Sequence, residues 1–321
     1  MKHQRPKIGL VGVGHLGKIH VKCLKDTPFD FVGIYDVDET LKLKIASEFG
    51  LKAFSTFDEL LEVCDCVDIV APTTAHFELA KKAIQHGKHI FIEKPVTETL
   101  EQALELDGLS KIHHSKVQVG HVERYNPAIL SLKDTPMYPR FVEVHRLAQF
   151  NPRGTDVSVV LDLMIHDIDI VLSMIKSPVK SIVANGVSIV SASPDICNSR
   201  IEFEDGAVAN LTASRISLKN MRKIRVFQDN AYISLDFLEK SVQIVRIEPA
   251  GSRAENEMTI STNEGLKRII IESPNISSNN AIVDELNDFY RSVAFDEPVS
   301  VTLGDGIRAL EVAFIIQSKI S

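Results

Sequence analysis

Three groups of residues carry side chains that can do chemistry together. In Phe91-Ile92-Glu93-Lys94-Pro95 a carboxylate and an ammonium close a short apolar run over residues 89–92. Such a run reads as a buried parallel strand. In an open α/β sheet a ligand lies beyond the carboxyl ends of the strands, so Glu93 and Lys94 are set to meet a bound cofactor. Pro95 restrains Lys94 to an extended backbone and stops the strand. Taken alone, the five residues fit a strand end with a solvated ion pair at least as well.

The second group is Gly12-Val13-Gly14-His15-Leu16-Gly17, which follows a strand over 7–11 and precedes a helix from 16 to about 25. Strand, G-x-G-x-x-G, helix is the setting in which this motif means dinucleotide binding. Gly12 permits the tight turn, Gly14 lets backbone N–H groups approach a pyrophosphate, and Gly17 allows close packing of helix on strand. His15 and Leu16 sit at the positive end of that helix, facing the phosphates. A second strand over 31–35 ends on Asp36, nineteen residues past Gly17. A carboxylate there accepts the adenosine ribose hydroxyls and repels a 2′-phosphate, so NAD is expected rather than NADP. A turn before Val37-Asp38-Glu39 accounts for Asp36 alone, but not for its coincidence with the glycine motif.

The third group is Asp162 and His166, four residues apart and hence on one face of a helix expected over about 156–175. Ser158, Asp162, His166, Asp169 and Ser173 form a single stripe, which any amphipathic helix shows on its wet side. A metal held by Asp162, His166 and Asp169 lacks a further ligand cluster, and no metal site is expected. Cys23, Cys64, Cys66 and Cys197 give neither a disulfide framework nor zinc spacing and read as reduced structural residues.

These groups need a scaffold, and the first 121 residues supply a βα rhythm. Strands are expected at 7–11, 31–35, 52–54, 66–70, 89–92 and 116–119, with helices at 41–49, 57–62, 77–85 and 98–109 between them. Six strands with alternating helices make a doubly wound parallel sheet of the Rossmann type. In that fold the loop Ala71-Pro72-Thr73-Thr74-Ala75-His76 lies near the nicotinamide ribose, which adds Pro72, Thr73 and a supporting His76 to the cofactor contacts. From residue 122 to 321 a second domain of α+β type is expected. Its strands at 141–146, 182–190, 199–203, 207–212, 224–228 and 241–247 belong to a large, open, mixed or antiparallel sheet. Turns at Asp205-Gly206 and Asp229-Asn230 separate several of them. A sheet with few covering helices needs a partner on its other face, which a second subunit supplies. Helices at 281–293 and 305–319 close the chain, the last packing back on the first domain.

A length of 321 residues suits two domains. The net charge of -7 opposes general affinity for nucleic acid or an anionic membrane. The basic cluster Arg215, Lys219, Arg222, Lys223 and Arg225 reads as a solvated sheet face. Without an apolar run of membrane-spanning length or a signal-peptide core, the cytoplasm is the expected compartment.

Taken together, Gly12-x-Gly14-x-x-Gly17, Ala71-Pro72 with Ala75-His76, Glu93-Lys94-Pro95 and Asp162-x-x-x-His166 resemble the glucose-fructose oxidoreductase / inositol dehydrogenase / MocA family over nearly the whole chain. Gly120-His121-Val122-Glu123-Arg124-Tyr125-Asn126-Pro127 and the stretch from His145-Arg146 to Asp169 are similar to its branch of UDP-N-acetylglucosamine 3-dehydrogenases. Thr73 stands where many relatives have asparagine, and Ile165 where a small residue is common. The resemblance implies a homodimer or homotetramer formed through the second domain's sheet. It also implies an active site containing Lys94, Asp162 and His166, which oxidises a secondary hydroxyl of a sugar or nucleotide sugar. In that setting His166, with a reference pKa of about 6.5, suits the base. Asp162 then steadies its imidazolium and Lys94 hydrogen-bonds the reacting oxygen. Arg124, Tyr125 and Asn126 fall at the cleft mouth, and Arg124, Arg146 and Arg153 are candidate holders of a pyrophosphate. Two other functions occur among relatives: a glycoside hydrolase that uses NAD transiently, and a non-catalytic NAD-binding regulator.

Overall fold

The computed structural model describes residues 5–151, 157–250 and 258–320. They form two compact units. One holds the described residues up to Tyr125 together with Asn280–Glu311; the other holds those of Asn126–Asn279 and those from Val312 onward.

The first unit runs β1 (Lys7–Val11), α1 (His15–Leu24), β2 (Asp30–Tyr35), α2 (Glu39–Phe49), α3 (Phe57–Val63), β3 (Cys66–Ile69), α4 (Thr73–Gln85), β4 (His89–Glu93), α5 (Leu100–Ile112) and β5 (Val117–Gly120), then a 3₁₀ turn at Val122–Tyr125. The strands pair in parallel in the order β2-β1-β3-β4-β5. Neighbours lie on both sides of β1, so the crevice between the ends of β1 and β3 is a topological switch point, where such sheets bind ligands. The strand expected at 52–54 is reduced to a bridge between Ala53 and Ile34. It holds by two hydrogen bonds, Ile34 N–H to Lys52 O at 2.9 Å and Phe54 N–H to Ile34 O at 3.0 Å. It stops there because the Thr56 side chain caps α3 at once.

All four residues of β3 and the last four of β1 and β4 are buried, a continuous run rather than an alternation, as helices on both faces require. Val21 and Leu24 of α1 and Ile45 of α2 share one core with Ile8, Leu10, Ile34 and Phe91 of the sheet. Each such side chain contributes about 1.5–3 kcal/mol by leaving water.

The second unit continues with α6 (Pro127–Leu130), β6 (Phe141–Leu147), a π-helical turn at Val160–Met164, α7 (Ile165–Met174), β7 (Val179–Val187), β8 (Ile196–Phe203), β9 (Val208–Ser214), β10 (Met221–Gln228), β11 (Ala231–Asp236), β12 (Ser241–Pro249), β13 (Thr259–Thr262) and β14 (Gly265–Glu272). Its nine strands are ordered β13-β14-β12-β11-β10-β6-β9-β8-β7. Every neighbouring pair is antiparallel except β6 and β9. β6 and β11 alternate buried and half-buried residues, the pattern of a sheet covered on one face. The π turn packs on β9, and α7 packs on β6 and β9.

Two helices remain, α8 (Ala281–Phe295) and α9 (Leu303–Ile320). Leu286 and Phe289 of α8 enter the core of the first unit, which is therefore assembled from two stretches of chain. Among the described residues no helix is long and apolar enough to cross a membrane.

Candidate active site

The glycine loop is shaped by backbone contacts. Gly12 has φ +91° and lies so near the end of β3 that a Cβ would stand 2.6 Å from Ala71 Cα. At Gly17 a Cβ would stand 2.0 Å from the Gly12 carbonyl oxygen, so α1 can approach β1 only without a side chain there. Around Gly14, by contrast, no atom of the described residues beyond its chain neighbours comes within 4 Å of where a Cβ would be. Gly14, His15 and Leu16 are exposed at the start of α1, and no side chain caps this helix. Its first N–H groups and its positive dipole end are left to an incoming anion.

Asp36 ties β2 to this loop. Its Oδ2 accepts the Val13 N–H at 2.7 Å and its Oδ1 accepts the Asp38 N–H at 2.8 Å. A carboxylate has about four acceptor positions, so capacity remains for ribose hydroxyls. Gly12, Tyr35, Asp36, Phe57 and Pro72 line one open cleft of about 790 Å³. Glycine loop, helix end, carboxylate and cleft fit an adenine dinucleotide.

The loop after β3 differs from expectation. α4 begins at Thr73 rather than at 77, with Pro72 as its N-terminal flank. His76 therefore sits in the first turn, buried, with Nδ1 2.9 Å from Pro95 O and Nε2 2.8 Å from Ala71 O. It braces two loops and is not exposed to a ligand. Burial pushes its pKa down, against the pull of the two carbonyls.

At the end of β4 the Lys94-Pro95 bond is cis and Lys94 is half-buried. Glu93, expected among the cofactor contacts, is only 7% exposed and turns inward. Its Oε1 lies 3.3 Å from His20 Nε2, and its Oε2 accepts the Lys94 backbone N–H at 3.1 Å. His20 Nδ1 meets Asp68 Oδ2 at 2.9 Å. This cluster escaped the sequence reading. The available signal was a histidine three residues past Gly17, on the buried face of α1.

In the second unit Asp162 lies within the π turn and His166 follows it, both half-buried. The Ile165 N–H reaches back five residues to Val160 O. Such single π turns often occur at functional sites. Of the stripe expected along this helix, Ser158, Asp162, His166 and Ser173 are half-buried, whereas Asp169 is buried. Asp167 is buried too, and its two oxygens accept Nε and Nη2 of Arg146 at 2.8–3.0 Å.

Arg146, expected as a pyrophosphate holder, is 3% exposed and forms a buried ion pair with Asp167. Tyr125 and Asn126, expected at the cleft mouth, are buried as well. The Tyr125 hydroxyl donates to Asp288 Oδ2 at 2.7 Å inside the first unit. Asn126 caps α6 through Oδ1 and donates from Nδ2 to Phe237 O at 3.2 Å. Arg124 is mostly buried, with Nη2 3.7 Å from Asp305 Oδ1. Arg153 lies outside the described residues. All four cysteines are buried free thiols, and burial pushes the Cys64 thiol up to about 11.

The first unit is thus the nucleotide half of a dinucleotide-dependent oxidoreductase. Residues 6–121 match the model of an oxidoreductase family with an NAD-binding Rossmann fold, and residues 138–234 match the GFO/IDH/MocA C-terminal domain. Over 318 residues the chain is 34% identical to UDP-N-acetylglucosamine 3-dehydrogenase of Acidithiobacillus ferrooxidans, spanning 99% of this chain and 97% of that protein. A solved structure of that dehydrogenase matches with a TM-score of 0.90 at 32% identity, over 99% of this chain and 98% of that one. The scyllo-inositol 2-dehydrogenase (NAD(+)) of Bacillus subtilis is 29% identical over 238 residues, 68% of this chain and 69% of that protein. The chain belongs to the GFO/IDH/MocA family of oxidoreductases. It is a dehydrogenase, and its cofactor is NAD.

Proposed function

We propose that this dehydrogenase oxidises a secondary hydroxyl of a nucleotide sugar, the C3 hydroxyl of a UDP-N-acetylhexosamine. The observation that carries this reading is the 34% identity to UDP-N-acetylglucosamine 3-dehydrogenase, sustained along 99% of the chain. NAD, when bound, supplies the hydride acceptor. Gly12, Gly14 and Gly17 admit its phosphates to the start of α1, and Asp36 takes the adenosine ribose hydroxyls and disfavours NADP. His166 takes the hydroxyl proton, Asp162 steadies the imidazolium, and Lys94 donates a hydrogen bond to the reacting oxygen. Of the candidate phosphate holders, Arg124 keeps its place in this reading.

Self-association through the nine-stranded sheet, as a dimer or tetramer, is part of the proposal; Val183, Val187, Ile247 and Ile271 are exposed on its strands. So is a cytoplasmic site of action. NADH formation across a panel of free sugars and UDP-sugars tests the substrate. UDP-N-acetylglucosamine or its C4 epimer is expected to be turned over best, and preference for a free inositol or hexose would refute the nucleotide-sugar reading.

A further inference from the structure

Behind the Glu93-Lys94-Pro95 turn, the first unit buries four ionisable groups. His20 on α1, Asp68 on β3 and Glu285 on α8 are each 0% exposed, and Glu93 at the end of β4 completes the set. Packing does not account for them, since apolar groups of similar volume fill such space with equal or better stability. The contacts run in one direction. Asp68 holds His20 Nδ1, His20 Nε2 faces Glu93 Oε1, and Glu93 Oε2 receives the Lys94 N–H. On the far side Gly120 of β5 leaves room for the carboxylate: a Cβ there would stand 2.8 Å from Glu93 Oε1.

We propose that His20 is a positioning residue for Lys94: clamped by Asp68, it fixes the Glu93 carboxylate, which seats the Lys94 backbone N–H and sets the direction in which the lysine leaves β4. The inference rests on the reading of Lys94 as the group that meets the reacting oxygen. Charge supports the geometry. Burial lowers the His20 pKa, but Asp68 and Glu93 outweigh it and hold the imidazole well above its ordinary value. That shift favours the imidazolium, which is hydrogen-bonded to Asp68 through Nδ1 and lies as an ion pair 3.3 Å from Glu93 Oε1 through Nε2. Glu285 is pushed the other way from ionisation, by burial and then by the charge of Glu93, and stays protonated. A reacting group held by such a supporting shell is oriented before substrate arrives.

Gly120→Ala tests this without altering any charge, because the added Cβ meets the Glu93 carboxylate before the backbone of any other strand. His20→Gln is the second variant, removing the donor charge. The first readout is the acetylation rate of Lys94 in the whole protein, measured by peptide mass spectrometry against exposed Lys22. The second is the split between kcat and KM for NAD. Each folded variant is expected to change Lys94 acetylation severalfold while Lys22 stays constant. Each should also lower kcat of the folded fraction about tenfold or more with KM for NAD nearly unchanged, the scale of a small misplacement of a reacting group. His20→Gln also lowers the melting temperature, because it leaves Asp68 buried without its partner. Unchanged Lys94 acetylation in folded protein would overturn the proposal, whatever the substrate. A Lys94→Ala variant with normal turnover would instead refute the role of Lys94 itself.

Discussion

The two helices that open the functional segments are built on opposite principles. α1 starts from bare backbone: Gly14 has no crowding neighbour, no side chain caps the helix, and no acidic residue lies in the first turn. α7 starts from a π turn and is crowded with polar side chains, of which Asp167 is consumed by Arg146 and Asp169 is buried. The first offers bare backbone, the second a set of side chains, two of them buried. Damage to the first should therefore appear in cofactor affinity and damage to the buried pair of the second in fold stability, while substitution of the half-buried Asp162 or His166 tests the proposed chemistry.

The sharpest way to break this contrast is through the proposed chemical residues. Lys94→Ala and His166→Ala are each expected to lower kcat by about 10²–10⁴-fold, the usual worth of a positioned acid or base, with NAD affinity nearly intact by fluorescence titration. Loss of NAD binding in either would place that residue with α1 instead. Next, Arg146→Ala leaves the Asp167 charge buried without its fork and should cost about 3–5 kcal/mol in urea unfolding, while the remaining folded enzyme keeps its kcat. Gly17→Ala drives a Cβ into the Gly12 carbonyl, and overpacking of this kind costs about 1–3 kcal/mol. Its signature is a rise in Kd for NAD larger than the fall in melting temperature explains.

A smaller effect follows from the buried cluster, through pH. In the folded chain Glu285 keeps its proton well above the ordinary value of 4.5, and His20 does so above 6.5. The unfolded chain releases both protons near those ordinary values, so the folded state binds more protons and stability falls as pH rises. For Glu285 the decline begins near its ordinary value, and His20 adds to it from neutral pH upward. Glu285→Gln, which needs no proton, is expected to melt like the parent in mild acid and above it in mild alkali. A parent protein whose melting temperature climbs between neutral and alkaline pH would contradict this sign.

Sequence made the backbone-defined half legible because glycines and strand ends leave a periodic trace. Gly12, Gly17 and Asp36 could be placed from spacing, and the structure supplies the contacts that explain each. Side-chain pairing leaves no such trace. The fork between Arg146 and Asp167 joins residues twenty-one apart across a strand and a helix, and Tyr125 is claimed by Asp288, far along the chain in α8. Neither pair could be read from the sequence because pairing over such distances has no period. The stripe from Ser158 to Ser173 holds only in part: Ser158, Asp162, His166 and Ser173 are half-buried, but Asp169 is buried, because periodicity marks a helix face and not what packs over it. His20 was passed over because a histidine on an apolar helix face reads as core, and only the nearby carboxylates of β3 and β4 give it a task.

The central claim is that hydride leaves a sugar carbon for NAD, and isotope transfer tests it most directly. UDP-N-acetylglucosamine carrying deuterium at C3 is incubated with the enzyme and NAD, and the nicotinamide product is weighed by mass spectrometry. One deuterium per NADH is the result expected here. NADH without deuterium would move the chemistry to another carbon, and no NADH from protein that binds NAD and this sugar would contradict the account.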